Sequence, residues 1–93
     1  MNTLPLVVYK NGFVYYQLLR TSKVAIYGQH VNSKLRYFEV FEIKTRPERN
    51  IKGRIIPGGE VFPGNNDFGK TAWTYMTLDG AIQRLLYLLG ILP

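Results

Sequence analysis

The sequence contains no cysteine and only one histidine, His30. The missing thiols exclude a disulfide framework, a thiolate zinc site and a cysteine nucleophile. They also agree with a reducing compartment. One histidine cannot form a histidine-based metal cluster, and we interpret His30 as a surface or edge residue. We therefore predict a protein of the cytoplasm that holds no metal and no cofactor.

A signal peptide and a long apolar run are absent from this sequence as well. The N-terminal segment has no basic region, and its apolar run is too short for secretion. The apolar stretch 78–92 contains Asp79, Gln83 and Arg84 and is too short to span a bilayer. We therefore expect no membrane partner. The length of 93 residues predicts a single small basic domain covering residues 1–93.

Acidic residues are scarce, with six against twelve Lys and Arg, so the formal net charge is +6. Five of the basic residues and one acid fall within 44–54, KTRPERNIKGR. Such a segment indicates an acidic partner, either nucleic acid or an acidic protein surface. A solvated loop that only aids solubility is the alternative. The candidate binding residues are Lys44, Arg46, Arg49, Lys52 and Arg54. The tyrosines that would stack on bases if they are exposed are Tyr15, Tyr16, Tyr27 and Tyr37.

Turn and capping residues divide the chain into strands and one helix. Asn11-Gly12 lies between two β-rich runs and predicts a hairpin with a type I′ turn. Further strands are expected at 23–29, 35–44 and 71–76, and a second hairpin at 55–63 with Pro57-Gly58 in a type II turn. A helix is predicted over 78–89, with Thr77 as its N-cap and Gly90 at its end. The fold is therefore α+β, an antiparallel sheet of four to six strands, a meander with hairpins, packed against one C-terminal helix.

The fourth strand, LRYFEVFEIK, does not alternate cleanly between apolar and polar residues. A regular strand would place Glu39 on the same face as Phe41, and an inward carboxylate would need a partner. A one-residue bulge near Val40-Phe41 would instead turn Glu39 outward. We favour the bulge, with Glu42 also outward and with Phe38, Val40 and Ile43 inward.

The C-terminal helix has more apolar residues than one sheet face requires. One explanation is deep packing against a curved sheet, and the other is a homodimer or partner surface. The residues that would form a dimer are Leu86, Leu88, Ile91 and Leu92.

Residues 64–71, GNNDFGKT, fit the Walker A pattern of nucleotide-binding loops. That loop requires a buried strand directly before it and a helix directly after it. Pro63 is unsuited to the end of a central strand, and Trp73, Thr74 and Tyr75 favour a strand after the motif. We interpret the match as a chance one, as a polar turn leading into the last strand, and we predict that the protein is not an enzyme.

The C-terminal third, FPGNNDFGKTAWTYMTLDGAIQRL, resembles the ends of small uncharacterised proteins from phages and mobile elements. In those proteins a short aromatic strand leads into a helix that opens with a T-L-x-x-A pattern. The corresponding residues here are Trp73, Tyr75, Thr77, Leu78 and Ala81. The resemblance implies a bacterial cytoplasm, the host cytoplasm for a phage-encoded protein, and a binder without catalytic activity.

Two functions are therefore expected. The first is a non-catalytic protein that binds nucleic acid through segment 44–54. The alternative is a protein–protein interaction module, such as a phage inhibitor of a host factor, for which a dimer through the C-terminal helix is also considered.

Overall fold

A five-stranded antiparallel sheet forms the centre of the fold in the computed structural model, which describes residues 2–93. Its strands are β1 (Val7–Lys10), β2 (Phe13–Arg20), β3 (Val24–Val31), β4 (Lys34–Glu42) and, after four short strands, β9 (Ala72–Tyr75). They pair in the order β1-β2-β3-β4-β9, and every pair is antiparallel. The helix α1 (Leu78–Leu88) packs on one face of this sheet. The predicted α+β fold is thereby confirmed.

Local turn chemistry sets the first hairpin and the ends of the helix. Asn11 and Gly12 have φ angles of 54° and 82°, which are those of the predicted type I′ turn. The Thr77 hydroxyl accepts a hydrogen bond from the Gly80 N–H at 3.1 Å and caps α1. Gly90 has a φ of 77°, so it ends the helical segment as predicted.

Both faces of the sheet are covered, because residues of opposite parity in β3 and β4 enter two separate cores. On one face Val24, Ile26 and Val40 pack against Ala81 and Leu85 of α1 and form the first core. On the opposite face the N-terminal segment and residues 62–68 cover the rings of Tyr15, Tyr27 and Phe41. That second core contains Leu4, Tyr15, Ala25, Tyr27, Phe41, Phe62, Phe68 and Ala72.

The two covered faces explain why the favoured bulge in β4 is wrong. The β3–β4 ladder runs without a shift from Glu42 to Tyr37, and Glu39 faces inward with an exposed fraction of 5%. Val40 and Phe41 are both fully buried, one on each face. A regular strand can therefore bury Val40 on one face and Phe41 on the other, and it buries Glu39 beside Phe41 as well.

A two-stranded ribbon, residues 44–61, extends from the end of the sheet and is called the ribbon arm below. Its base consists of β5 (Lys44–Arg46) paired with β8 (Gly59–Val61), and its tip consists of β6 (Arg49–Ile51) paired with β7 (Arg54–Ile56). The turn lies at Lys52-Gly53, with φ angles of 52° and 80°. The predicted type II turn at Pro57-Gly58 is therefore wrong: only a hairpin turning at Lys52-Gly53 pairs Arg49 with Ile56 and Ile51 with Arg54.

Among residues 2–93 no helix has the length and apolarity needed to cross a membrane.

Candidate nucleic-acid interface

The ribbon arm projects into solvent over most of its length. Every residue from 44 to 57 is exposed, and β6 and β7 pair only with each other within the described chain. The radius of gyration is 14.3 Å, whereas a compact chain of this length would have about 12 Å. The arm is thus an extension of the domain and adds little to either core.

Two prolines separate the tip of the arm from its base. The register is the same on both sides, since Arg46 pairs with Gly59 and Arg49 with Ile56, but no ladder bonds form between these two pairs. Pro47 and Pro57 have no N–H to donate there. A Cβ atom on Gly58 would lie 2.7 Å from both the Arg46 carbonyl oxygen and the Glu48 nitrogen. Glycine at 58 therefore permits a close approach of the two sides of the ribbon at this point.

The base of the arm is fixed to the sheet by the partly buried carboxylate of Glu60. Glu60 accepts two hydrogen bonds from the Arg20 guanidinium at 2.6 and 3.0 Å and one from the Leu4 N–H at 2.9 Å. These donors, the guanidinium first, lower the pKa of Glu60 to about 2. Directly after β8, the Phe62 ring packs against the rings of Tyr15, Tyr27 and Phe41 in the second core, with centroid distances of 5.1 to 5.2 Å.

The five predicted binding residues all lie on the arm, and they fall into two groups. Lys44, at the base, donates to Asp67 at 2.9 Å, and this hydrogen bond is the main cause of a lowered pKa for Asp67. The other four extend along the exposed part of the arm. They are Arg46, Arg49, Lys52 and Arg54. Within residues 2–93 the ion pairs are Arg20–Glu60 and Lys44–Asp67, so these four cations have no carboxylate partner there.

The tip also carries isoleucines, which the sequence analysis did not single out. Residues that pair directly in an antiparallel ladder share a face. Arg49, Ile51, Arg54 and Ile56 therefore lie on one face of the tip, and Ile55 lies on the other with Asn50. Ile51, Ile55 and Ile56 are 46%, 62% and 36% exposed. The alternation of arginine and isoleucine around Lys52-Gly53 was the signal in the sequence that could have revealed this hairpin.

The segment GNNDFGKT forms a polar turn between β8 and β9, as expected. Asn65–Asp67 is a single 3₁₀ turn, and the strand β9 begins directly after Thr71. The Asp67 carboxylate accepts hydrogen bonds from the Gly64 N–H at 2.9 Å and from Lys44. The Asp67 carboxylate thus binds a backbone N–H that a bound phosphate would need. The segment is followed by the strand β9, whereas a nucleotide-binding loop is followed by a helix.

Of the four tyrosines that would stack on bases if exposed, two are buried, and none lies on the ribbon arm. Tyr15 and Tyr27 are 4% and 0% exposed and belong to the second core, so for these two the idea is wrong. Tyr16, in β2, is 43% exposed, and its ring contacts the His30 ring of β3 edge-on with a centroid distance of 4.7 Å. Tyr37 is half-buried and lies 5.1 Å from the Arg36 guanidinium.

Of the four C-terminal residues considered for a dimer, two are partly buried and two are exposed. Leu86 and Leu88 pack partly against the first core, under α1. Ile91 and Leu92 follow the helix and are 64% and 40% exposed. Only the second pair is available on the surface.

No family model matches this chain, and no curated protein or solved structure matches it. In the described part of the chain, residues 2–93, no three His, Asp or Glu side chains are grouped to hold a metal ion. Inference about function therefore depends on the shape and the charges of the ribbon arm.

Proposed function

We propose that this protein is a small non-catalytic nucleic-acid-binding protein and that the ribbon arm is its binding element. One observation carries the proposal. Four exposed cations without carboxylate partners, Arg46, Arg49, Lys52 and Arg54, lie along a projecting ribbon whose base is held to the sheet. A surface that only improved solubility would not need a rigid support of this kind.

The spacing of these cations suits a phosphate backbone. A strand rises about 3.3 Å per residue, so Arg46 and Lys52 are separated by roughly 20 Å along the arm. Beside the base, Lys44 and Arg46 line a groove with Asn65 and Asn66, which adds amide donors next to the cations. Guanidinium, ammonium and amide groups are the side chains that usually contact phosphate oxygens.

The proposal predicts binding that weakens steeply with salt. If four cations each neutralise one phosphate of a duplex, log K falls with log salt at a slope of about −3.6. Raising the salt from about 50 to about 200 mM should then weaken binding roughly 150-fold. Fluorescence anisotropy with labelled DNA and RNA measures both the affinity and the slope.

The critical variant is the triple substitution Arg46→Ala, Arg49→Ala, Lys52→Ala. It should abolish measurable binding at about 150 mM salt, since most of the phosphate contacts are removed. The matched control is Lys23→Ala, Lys34→Ala, Lys70→Ala, which removes the same charge from exposed positions outside the arm. If both triple variants lose the same affinity, net charge alone explains binding and the assignment to the arm is wrong.

A second candidate function is binding to a protein in a bacterial cytoplasm. It is favoured by the exposed apolar residues after α1, where Leu92 lines a groove with Tyr87, which is 51% exposed. The resemblance of the C-terminal third to phage proteins supports a host factor as that partner. A pull-down after nuclease treatment that recovers one host protein, and loses it with Ile91→Ser and Leu92→Ser, would favour this candidate over nucleic acid. Sedimentation of the same variants tests a homodimer.

A further inference from the structure

The chemistry of the ribbon arm distinguishes between kinds of nucleic acid. Proteins that bind single strands stack successive bases on aromatic side chains. Residues 44–61 contain no Phe, Tyr or Trp. The nearest aromatic residue, Phe62, is packed against Tyr15, Tyr27 and Phe41 in the second core. A single strand would therefore find phosphate contacts on the arm but no stacking surface.

The dimensions of the tip suit a groove of a duplex. Two paired strands lie about 4.8 Å apart, and with side chains they fill a space of roughly 10 to 12 Å. The major groove of B-form DNA is about 12 Å wide and admits a two-stranded ribbon, whereas its minor groove is about 6 Å wide. The major groove of A-form RNA is too narrow and deep for side chains to read. The tip, from Arg49 to Ile56, has no neighbouring strand that would prevent its entry.

The side chains of the tip match the edges of base pairs in that groove. Arg49 and Arg54 share a face with Ile51 and Ile56, so cations and apolar groups alternate on one surface. Arginine forms paired hydrogen bonds with the guanine O6 and N7 atoms, and apolar groups contact the thymine methyl. Asn50 is less suited to reading adenine, because its Oδ1 atom already accepts from the Gly53 N–H at 3.1 Å.

We infer that the ligand is double-stranded B-form DNA and that the tip of the ribbon arm enters its major groove. The inference rests on the proposed nucleic-acid-binding function and adds the class of ligand. Arg46, in the base, contacts the backbone. Arg49 and Arg54 reach base edges, and their charges still neutralise the phosphates that line the groove. The isoleucines lose solvent exposure against thymine methyl groups and sugars.

The first test compares three probes of one mixed sequence: duplex DNA, single-stranded DNA and duplex RNA. Duplex DNA should bind at least tenfold more tightly than either of the others at the same salt concentration. Netropsin, which occupies the minor groove, should leave binding to a duplex that contains an A/T tract unchanged. Methylation of guanine N7, which lies in the major groove, should weaken it.

The second test separates apolar contacts from charge. Ile51→Thr with Ile56→Thr keeps β-branched residues on the face of the tip that also carries Arg49 and Arg54. It should weaken duplex binding about tenfold with an unchanged salt slope. Ile91→Thr with Leu92→Thr is the matched control, since these two residues are 64% and 40% exposed, against 46% and 36% for Ile51 and Ile56. It should bind as tightly as the native protein.

The outcomes separate this inference from the proposed function. Any one of three results would overturn the major-groove inference. They are equal or tighter binding to single strands or to duplex RNA, displacement by netropsin, and unchanged affinity of the isoleucine variant. In those cases nucleic-acid binding by the arm would still stand. Absence of binding to all three probes would overturn both.

Discussion

Replacing Glu39 with glutamine should stabilise this protein above neutral pH. The carboxyl group is buried, and its Oε2 atom has no hydrogen-bond partner. Its other contact is the Tyr15 hydroxyl, which accepts from Gln29 Nε2 at 2.9 Å and so can direct its own hydrogen towards Glu39. Lys10 faces the same region, but its ammonium donates to the Pro63 carbonyl at 2.6 Å.

Burial is the main reason that the pKa of Glu39 is raised to about 7, and Lys10 and Tyr15 only partly oppose it. Below the unfolded pKa of 4.5 the carboxyl is protonated in both states, and folding carries no penalty. As the pH rises from 4.5 to 7, the unfolded state releases its proton first. The free energy of unfolding then falls by about 1.4 kcal/mol per pH unit, a total of about 3 kcal/mol. Above pH 7 the loss is complete.

Glu39→Gln removes the titration and keeps the size of the side chain. The variant should resemble the native protein at about pH 4 and exceed its free energy of unfolding by about 3 kcal/mol at about pH 8. Urea unfolding at several pH values, followed by the fluorescence of Trp73, measures both quantities. If the difference between the two proteins does not grow between pH 4.5 and 7, Glu39 does not titrate as a buried, poorly paired carboxyl, and the reasoning is refuted.

Two further predictions concern the arm and the helix. Gly58→Ala should weaken DNA binding while leaving the unfolding of the sheet nearly unchanged, because its Cβ would collide with backbone atoms of Arg46 and Glu48 at the junction of base and tip. Gly64→Ala is its control, since the nearest atom to a Cβ there is 4.0 Å away, and equal effects of the two on anisotropy would contradict the explanation. Thr77→Ala should lower the free energy of unfolding by about 1 kcal/mol, because the Gly80 N–H loses its cap. Thr77→Ser should restore most of that loss in urea unfolding, and a failure to do so would count against the cap.

The features predicted correctly from the sequence are those that short-range chemistry determines. Asn11-Gly12 has the residues of a type I′ turn, and Thr77 and Gly90 have those of the two helix ends, so each signal is complete within a few positions. The antiparallel order then follows, because short connections join neighbouring strands. The five basic residues were also visible, since charge is read directly from composition.

The errors arise where distant segments decide the structure. Glu39 points inward because residues 62–68 cover the second face of the sheet, and nothing within β4 reveals that cover. Pro57-Gly58 satisfies the sequence rule for a type II turn, whereas Lys52-Gly53 places a lysine, with a φ of 52°, where a type I′ turn usually has Asn, Asp or Gly. Only the pairing of Arg46 with Gly59 and of Arg49 with Ile56 distinguishes the two hairpins.

The division of the ribbon arm into base and tip is the strongest structural argument for a function at the tip. The base contributes to folding, since Glu60 binds Arg20 and β8 leads directly to Phe62 in the second core. The tip contributes to neither core, and all its residues are exposed. Exposed isoleucines and unpaired cations on a well-formed hairpin are not required by the stability of the domain. A contact outside the chain would account for them, and the proposed ligand, duplex DNA, would satisfy the positive charge and the apolar groups together.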